Sequence, residues 1–291
     1  MRHVGTWKRK IFYWKSILND NIAGDQITKG IEMHIDNLFS LKNNCAIIIG
    51  GAGKIGLPMS EALAEAGAKV YIASRSKTTF EPVVESLRLR GLDVEGISLD
   101  QSDEDSVIKA FEAIYNDFGT PDVLINAGCE RPMKKFYRDN TKAWDRSMDV
   151  NARGMFITCR IFGDAMAKKG NGSIINISSI YGLVAPDMKI YDGMEFETEP
   201  DYPFVKGGII AYSKYLASFY SKNQVRVNCI SPGGFFNNQP EPFLSRYISK
   251  TPLGRMANHD DMKGIALFLA SRASNYMTGC VIPVDGGWTT I

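Results

Sequence analysis

The sequence has no paired cysteines. Its five thiols, Cys45, Cys129, Cys159, Cys229 and Cys280, stand singly, with no CxxC and no His/Cys cluster. That pattern argues against structural zinc and against a disulfide framework. An odd count scattered over predicted strands and helices reads as reduced thiols in a cytoplasm. Cys129, just after a strand, reads as a small packing residue. No apolar run reaches the roughly 20 residues needed to cross a bilayer, and no signal-type hydrophobic region with a small-residue cleavage site is present. Excess charge is also missing: charged residues make up 23% of the chain and the formal net charge is +2. No basic surface for nucleic acid is therefore predicted, and a small-molecule ligand fits the balance better.

The little asymmetry there is sits at one end. Residues 1–32 hold six Lys/Arg against three acids, and the remainder 28 against 29. The stretch WKRKIFYWK is basic and aromatic, but its apolar core runs only from Ile11 to Trp14. Residues 1–40 read as a flexible extension, or as an upstream start with Met33 the natural initiator. The competing reading is an arm for a membrane surface or a partner.

What is present is a regular alternation. Short β-branched or apolar runs occur at 45–49, 69–73, 94–99, 123–125, 173–177, 225–230 and 281–284, with helical stretches between them, such as 58–66, 104–118 and 212–222. Near-continuous apolar strands separated by helices predict a parallel sheet covered on both faces. With no repeat, low-complexity tract or second hydrophobic domain, residues 41–291 read as one doubly wound α/β domain on a seven-stranded parallel sheet.

The first strand runs into Gly50-Gly51-Ala52-Gly53-Lys54-Ile55-Gly56 and then a helix. Glycines at this spacing allow a tight turn and close backbone approach, so that a pyrophosphate sits at the helix N-terminus, as in a Rossmann-type site. At the end of the second strand stands Ala73-Ser74-Arg75-Ser76, with a guanidinium where an NAD site usually offers a carboxylate. Arg75, with Lys77 close by to assist, suits a 2′-phosphate, so NADP(H) is expected ahead of NAD(H). Asp100, closing the third strand, is placed either for the adenine amino group or as a helix cap.

Tyr202 and Lys206 are four residues apart and share one helix face. A phenol is a poor proton exchanger at neutral pH, and an adjacent ammonium favours its phenolate. Ser179, ending the fifth strand, is placed to hydrogen-bond a substrate oxygen. Ser178 differs by one residue and is the alternative.

The glycine turn, Asn126-Ala127-Gly128, Asn151, Asn176-Ile177-Ser178-Ser179, Tyr202-Pro203-Phe204-Val205-Lys206, Ser231-Pro232-Gly233-Gly234 and Val284-Asp285-Gly286-Gly287 occur in this order, each at a predicted strand end or helix. Together they resemble the short-chain dehydrogenases/reductases of single-domain type, over residues 41–291. The resemblance implies a Ser-Tyr-Lys centre, with Ser179 selected over Ser178 because Gly182 completes Ser-x-x-Gly. It implies that Lys206 also bonds the nicotinamide ribose and that Asn151, within the long helix before strand five, supports a water chain to the lysine. Gly50, Gly53, Lys54, Ile55, Gly56, Ser74, Arg75, Asp100, Asn126, Ala127, Gly128, Tyr202, Lys206, Pro232 and Gly233 would then hold the coenzyme. Glu130, Tyr181 and Phe235 would meet the substrate. Residues 234–255 would form a mobile substrate loop carrying Phe236, Asn237, Asn238, Phe243 and Arg246. A homodimer or homotetramer is implied as well.

Three departures matter. Lys54 replaces a glycine usual in single-domain members, Ile49 a threonine, and Ile125 an asparagine. Ser179 and Tyr202 lie 23 residues apart, roughly ten more than is usual in the family. The insert, residues 182–201, is tethered at both ends by catalytic groups. It reads as a substrate flap or as an oligomer-contact loop. The nearest subgroups are gluconate 5-dehydrogenase-like enzymes and sugar oxidoreductases of flagellin-glycan (nonulosonate) modification. The leading expectation is interconversion of a secondary alcohol and a ketone on a sugar, sugar acid or polyol. A catalytically silent nucleotide-binding sensor of the same fold is the alternative class.

Overall fold

The computed structural model describes residues 33–291, so the basic N-terminal arm lies outside the described residues. A short helix spans Ile35–Phe39, and the body considered below runs from residue 38 to the C-terminus. Its seven strands are β1 (Cys45–Ile49), β2 (Lys69–Ser74), β3 (Val94–Ser98), β4 (Val123–Asn126), β5 (Gly172–Ile177), β6 (Val225–Pro232) and β7 (Val281–Val284). All pair in parallel, in the order β3-β2-β1-β4-β5-β6-β7. The chain thus winds outward in both directions from β1 and β4. The carboxyl ends of that pair form the crevice where ligands bind in such sheets.

The strands are apolar throughout because both faces are covered. Ile47, Ile49, Leu124, Ile174 and Val227 point to one side. There they meet α3 (Glu104–Asp117), α5 (Gly154–Lys169) and α6 (Asp201–Tyr220) through Val107, Ile114, Phe162, Ile209 and Leu216. Ile48, Ile72, Ile125, Ile175 and Ile230 point to the other side. They meet α1 (Gly56–Glu65), α2 (Lys77–Leu89) and α8 (Lys263–Ala270) through Met59, Leu63, Phe80, Val84 and Leu269. Successive residues of one strand feed opposite cores, as the two-residue period of a strand requires.

Two boundaries differ from the sequence reading. The helix expected at 212–222 begins at Asp201, so Tyr202 and Lys206 lie in its first two turns. Gly207 and Gly208 disfavour a helix by propensity; burial of Val205, Ile209, Leu216 and Ala217 overrides them. Asn151 is not in a regular long helix either. It sits in a π-helical turn, Met148–Arg153, between α4 (Thr141–Ser147) and α5.

The insert folds onto the substrate loop. A 3₁₀ turn (Met188–Tyr191) buries Ile190, and Tyr191 and Phe196 pack their rings 5.3 Å from that of Phe243 on α7 (Phe243–Ser249). Tyr247 stacks on Trp288 at 4.3 Å and completes a third small core. The Asp187–Lys250 ion pair and the Arg246–Asp192 carbonyl contact pin the two segments together.

Candidate active site

One cavity of about 330 Å³ opens at the carboxyl ends of β4, β5 and β6. Ser179, Tyr202 and Lys206 line it, together with Lys54 and Ile55 of the glycine turn, Ala127, Pro232 and Gly233. Residues from five separated stretches of sequence therefore converge at the predicted place.

The two serines differ in their hydrogen bonding. The Ser178 hydroxyl donates to the Lys206 carbonyl at 2.7 Å, locking β5 to α6, whereas Ser179 Oγ only accepts from Tyr181 N at 3.2 Å. Ser179 Oγ thus keeps its proton uncommitted, facing the cavity. Between them Gly182 is obligatory, because a Cβ there would stand 2.7 Å from the Lys206 backbone. Lys206, almost fully buried, donates from Nζ to the Ile177 carbonyl at 2.9 Å, and Nζ lies 5.4 Å from the Tyr202 ring centroid. An ammonium held by a carbonyl beside a phenol is the arrangement that one-turn spacing predicts.

The glycine turn fits a dinucleotide. Gly50 has φ +75° and abuts Gly128, and a Cβ on Gly56 would lie 2.2 Å from the Gly50 carbonyl oxygen. Side chains are thus excluded where the turn must pass close to a phosphate. Gly53 lies between them, with Lys54 exposed at the rim. Asp100 lies two residues beyond the end of β3 and accepts from Ser102 N and Oγ at 2.9 and 2.7 Å. The cap of α3 is Asp103 instead. Ser74 ends β2, and Arg75 follows it.

Several predicted residues stand elsewhere than the cavity. Asn126 is buried beneath it, donating to Asn176 Oδ1 at 2.8 Å and accepting from Thr158 at 3.0 Å. Asn151 brackets the loop after β4: its Oδ1 accepts from Glu130 N at 2.8 Å, and its Nδ2 donates to Glu130 O at 2.7 Å. Glu130, expected to meet the substrate, is not among the lining residues; its carboxylate bonds Arg75 and Arg146. Tyr181 and Phe235 do line the cavity, whereas Phe236, Asn238 and Arg246 do not. Cys129, read as a packing residue, is exposed and lines the cavity, because the chain leaves the sheet at Asn126.

Sequence reasoning missed Arg131, Tyr191, Gln239, Tyr247 and Met256. Arg131 is the most consequential: its guanidinium carbon lies 4.5 Å from the Tyr202 ring centroid, and it pairs with the buried Glu199 carboxylate of the insert. Burial alone would lower the Arg131 pKa, but Glu199 and Tyr202 outweigh it and raise it. Tyr181 and Tyr191 share a hydroxyl contact at 3.1 Å, and burial pushes both phenols up. They are neutral hydrogen-bonding groups at working pH. Only the acids of the insert hinted at a partner for Arg131.

The chain was compared with known proteins. A family model described as enoyl-(acyl carrier protein) reductase matches residues 50–289. The chain is 31% identical over 263 residues to gluconate 5-dehydrogenase of Gluconobacter oxydans, covering 87% of this chain and 97% of that one. It is 34% identical over 256 residues to a 2,5-dichloro-2,5-cyclohexadiene-1,4-diol dehydrogenase of Sphingobium indicum, covering 86% and 97%. A gluconate 5-dehydrogenase from Burkholderia cenocepacia, solved in complex with NADP and tartrate, superposes with a TM-score of 0.79 at 28% identity, covering 89% of this chain and 100% of that one. A short-chain dehydrogenase from Leptospira borgpetersenii with bound NAD+ gives 0.79 at 32%, covering 88% and 97%. The matched length, the sheet order and the Ser-Tyr-Lys cavity agree: the chain belongs to the short-chain dehydrogenase/reductase family, and it is an oxidoreductase acting on CH–OH groups.

Proposed function

We propose that this chain interconverts a secondary alcohol and a ketone on a sugar, sugar acid or polyol, with NADP(H) favoured over NAD(H). The carrying observation is that Ser179, Tyr202 and Lys206 share one cavity with Lys54, Ile55, Pro232 and Gly233. Polar groups on the far wall support a hydroxylated substrate: Arg131, Asn237, Gln239 and the Tyr181–Tyr191 hydroxyl pair. Two gluconate 5-dehydrogenases among the similar proteins support the same substrate class.

The glycine turn, Lys54, Ala127, Pro232, Gly233 and Lys206 would hold the coenzyme, which supplies or accepts the hydride when bound. Ser179 Oγ donates to the substrate oxygen and fixes its distance from Tyr202. In the reductive direction Tyr202 gives its phenolic proton to that oxygen, and in the oxidative direction it takes it back. Lys206 stabilises the phenolate left behind, and its bond to the Ile177 carbonyl keeps the ammonium from swinging away. The aromatic wall of Tyr191, Phe243 and Tyr247 excludes water from the reacting centre.

Two further parts of the reading rest on surface features. Exposed Phe156 on α5, with Tyr215 and Phe219 on α6, supports pairing of copies as a homodimer or homotetramer. Free, buried Cys45, Cys159 and Cys229 support a reducing, cytoplasmic setting. Among the described residues no helix is long and apolar enough to cross a membrane.

The test is a turnover screen of polyols, sugars and sugar acids with both coenzymes. Tyr202→Phe is expected to lower kcat at least a thousandfold while coenzyme still binds. Undiminished turnover in that variant would refute the assignment.

A further inference from the structure

The insert and the loop after β4 enclose a second, larger cleft of about 700 Å³. Tyr191 lines both this cleft and the catalytic cavity. Glu199 of the cleft pairs with Arg131 of the cavity, so the two spaces adjoin. The size of the cleft falls within the roughly 300–1,000 Å³ of small-molecule sites. No step of the reaction uses it.

Its two walls carry opposite charge. Lys135 and Arg138 bracket the 3₁₀ turn of the β4 loop, and Glu195 and Glu197 stand on the insert. Among the described residues none of these four side chains forms an ion pair or a hydrogen bond. Donors and acceptors thus line a gap that the protein's own charges do not close. Thr198 also lines the cleft; it is only 8% exposed, and no protein group satisfies its hydroxyl. Phe136, at φ +53°, holds a left-handed conformation that a bulky residue rarely adopts. Strain of this kind collects at ligand-binding sites. Here the turn brings Phe136 and the 81% exposed Tyr137 to the same cleft as Phe196.

Walls of opposite charge disfavour a ligand with a net charge of either sign. They suit a neutral one that both donates and accepts, and a hydroxyl does both. The aromatic rings supply flat apolar surface for the C–H faces of a cyclic polyol. We propose that the outer cleft is a second sugar subsite, binding the neighbouring ring of a glycoside whose reacting unit lies in the catalytic cavity. This rests on the sugar reading above and sets the substrate at two sugar units or more. Units joined through one oxygen need adjoining subsites, which the shared Tyr191 wall provides. Glu195 and Glu197 accept from hydroxyls of the outer ring, Lys135 and Arg138 donate to them, and Tyr137 and Phe196 pack on its faces. The insert thereby reads substrate length, since without it one wall of the cleft is missing.

The probes are gluconate and glucose, each set against its 4-O-glucosides: maltobionate and cellobionate, maltose and cellobiose. Turnover of the full chain is measured with NADP+ and NAD+. Saturation-transfer NMR is recorded with the reduced coenzyme, which cannot oxidise the probes. At least one glucoside is expected to show a kcat/KM about tenfold above its parent, with saturation reaching both of its sugar units. Glu197→Gln should cut that preference about tenfold, as expected for losing one charged hydrogen bond. Tyr137→Ala should remove saturation from the outer unit while the inner unit keeps it, which also certifies that the variant is folded. A parent turned over as well as every glucoside, or saturation confined to the inner unit, overturns the subsite and leaves the proposed function standing. So does an equal loss for parent and glucoside in both variants. No turnover and no saturation with any probe would remove the sugar reading itself, and the subsite with it.

Discussion

The guanidinium of Arg131 lies across the Tyr202 ring, 4.5 Å from its centroid, and is held there by Glu199 of the insert. Glu199 is almost fully buried and Arg131 about half exposed. The consequences of breaking the pair are therefore unequal. Arg131→Met strands a buried carboxylate and should cost about 3 kcal/mol of stability. Glu199→Gln strands a cation that reaches solvent and should cost less than half of that. The double variant should recover most of the loss. Urea unfolding of the three variants checks this, and additive losses would show that the pair is not coupled.

Gly56 sets a second expectation. A methyl group at this position collides with the Gly50 carbonyl at 2.2 Å, against backbone that cannot move aside cheaply. Gly56→Ala should therefore distort the turn and weaken both coenzymes at least a hundredfold. The unfolding midpoint should fall as well, because backbone must shift to admit the methyl group. Loss of NADPH binding alone, with NADH retained, would place the effect at the 2′-phosphate and contradict the turn argument.

Acid should loosen the contact between α1 and α8. Glu61 on α1 accepts from Arg90 at 2.8 Å, lies 2.6 Å from His259 Nε2, and pairs with Lys263 at 3.0 Å. Burial pushes its carboxyl up, but the bonds from His259, Lys263 and Arg90 outweigh it and bring the pKa down from 4.5 to about 2. A carboxyl depressed on folding stabilises the native state fully above its unfolded value and loses that contribution as pH falls through the folded one. Glu61→Gln should thus cost on the order of 2 kcal/mol at pH 6 and progressively less from pH 4.5 toward 2. Urea midpoints of both proteins at pH 6, 4 and 3 measure it; a constant difference would contradict it.

The stacked pair Tyr215 and Phe219, 5.9 Å apart and both exposed, is the surface on which the proposed self-association would rest. Phe219→Lys should lower the mass seen by light scattering to that of a smaller species. An unchanged oligomer would move the interface elsewhere, and a monomeric wild type would remove it.

Much was legible from the chain because the relevant signals are local. Apolar runs of strand length, the positive-φ turn at Gly50 and the one-turn spacing of Tyr202 and Lys206 each follow from a few consecutive residues. So did the placing of the insert beside the site, since both its ends are anchored. Arg131 and Glu130 were not legible in the same way. Both sit in one loop after β4, and nothing in sequence tells that the first turns inward to Tyr202 and the second outward to Arg75 and Arg146.

The sequence by itself therefore determined the sheet, the glycine turn and the candidate reacting groups that meet in the cavity. Only the tertiary structure decided which hydroxyl, Ser178 or Ser179, is free, because that depends on a carbonyl 28 residues away. It alone decided where the charges of the insert and the β4 loop find partners. Periodicity and propensity act within a few residues, whereas charge pairing and burial are settled between segments that meet only when the sheet has formed.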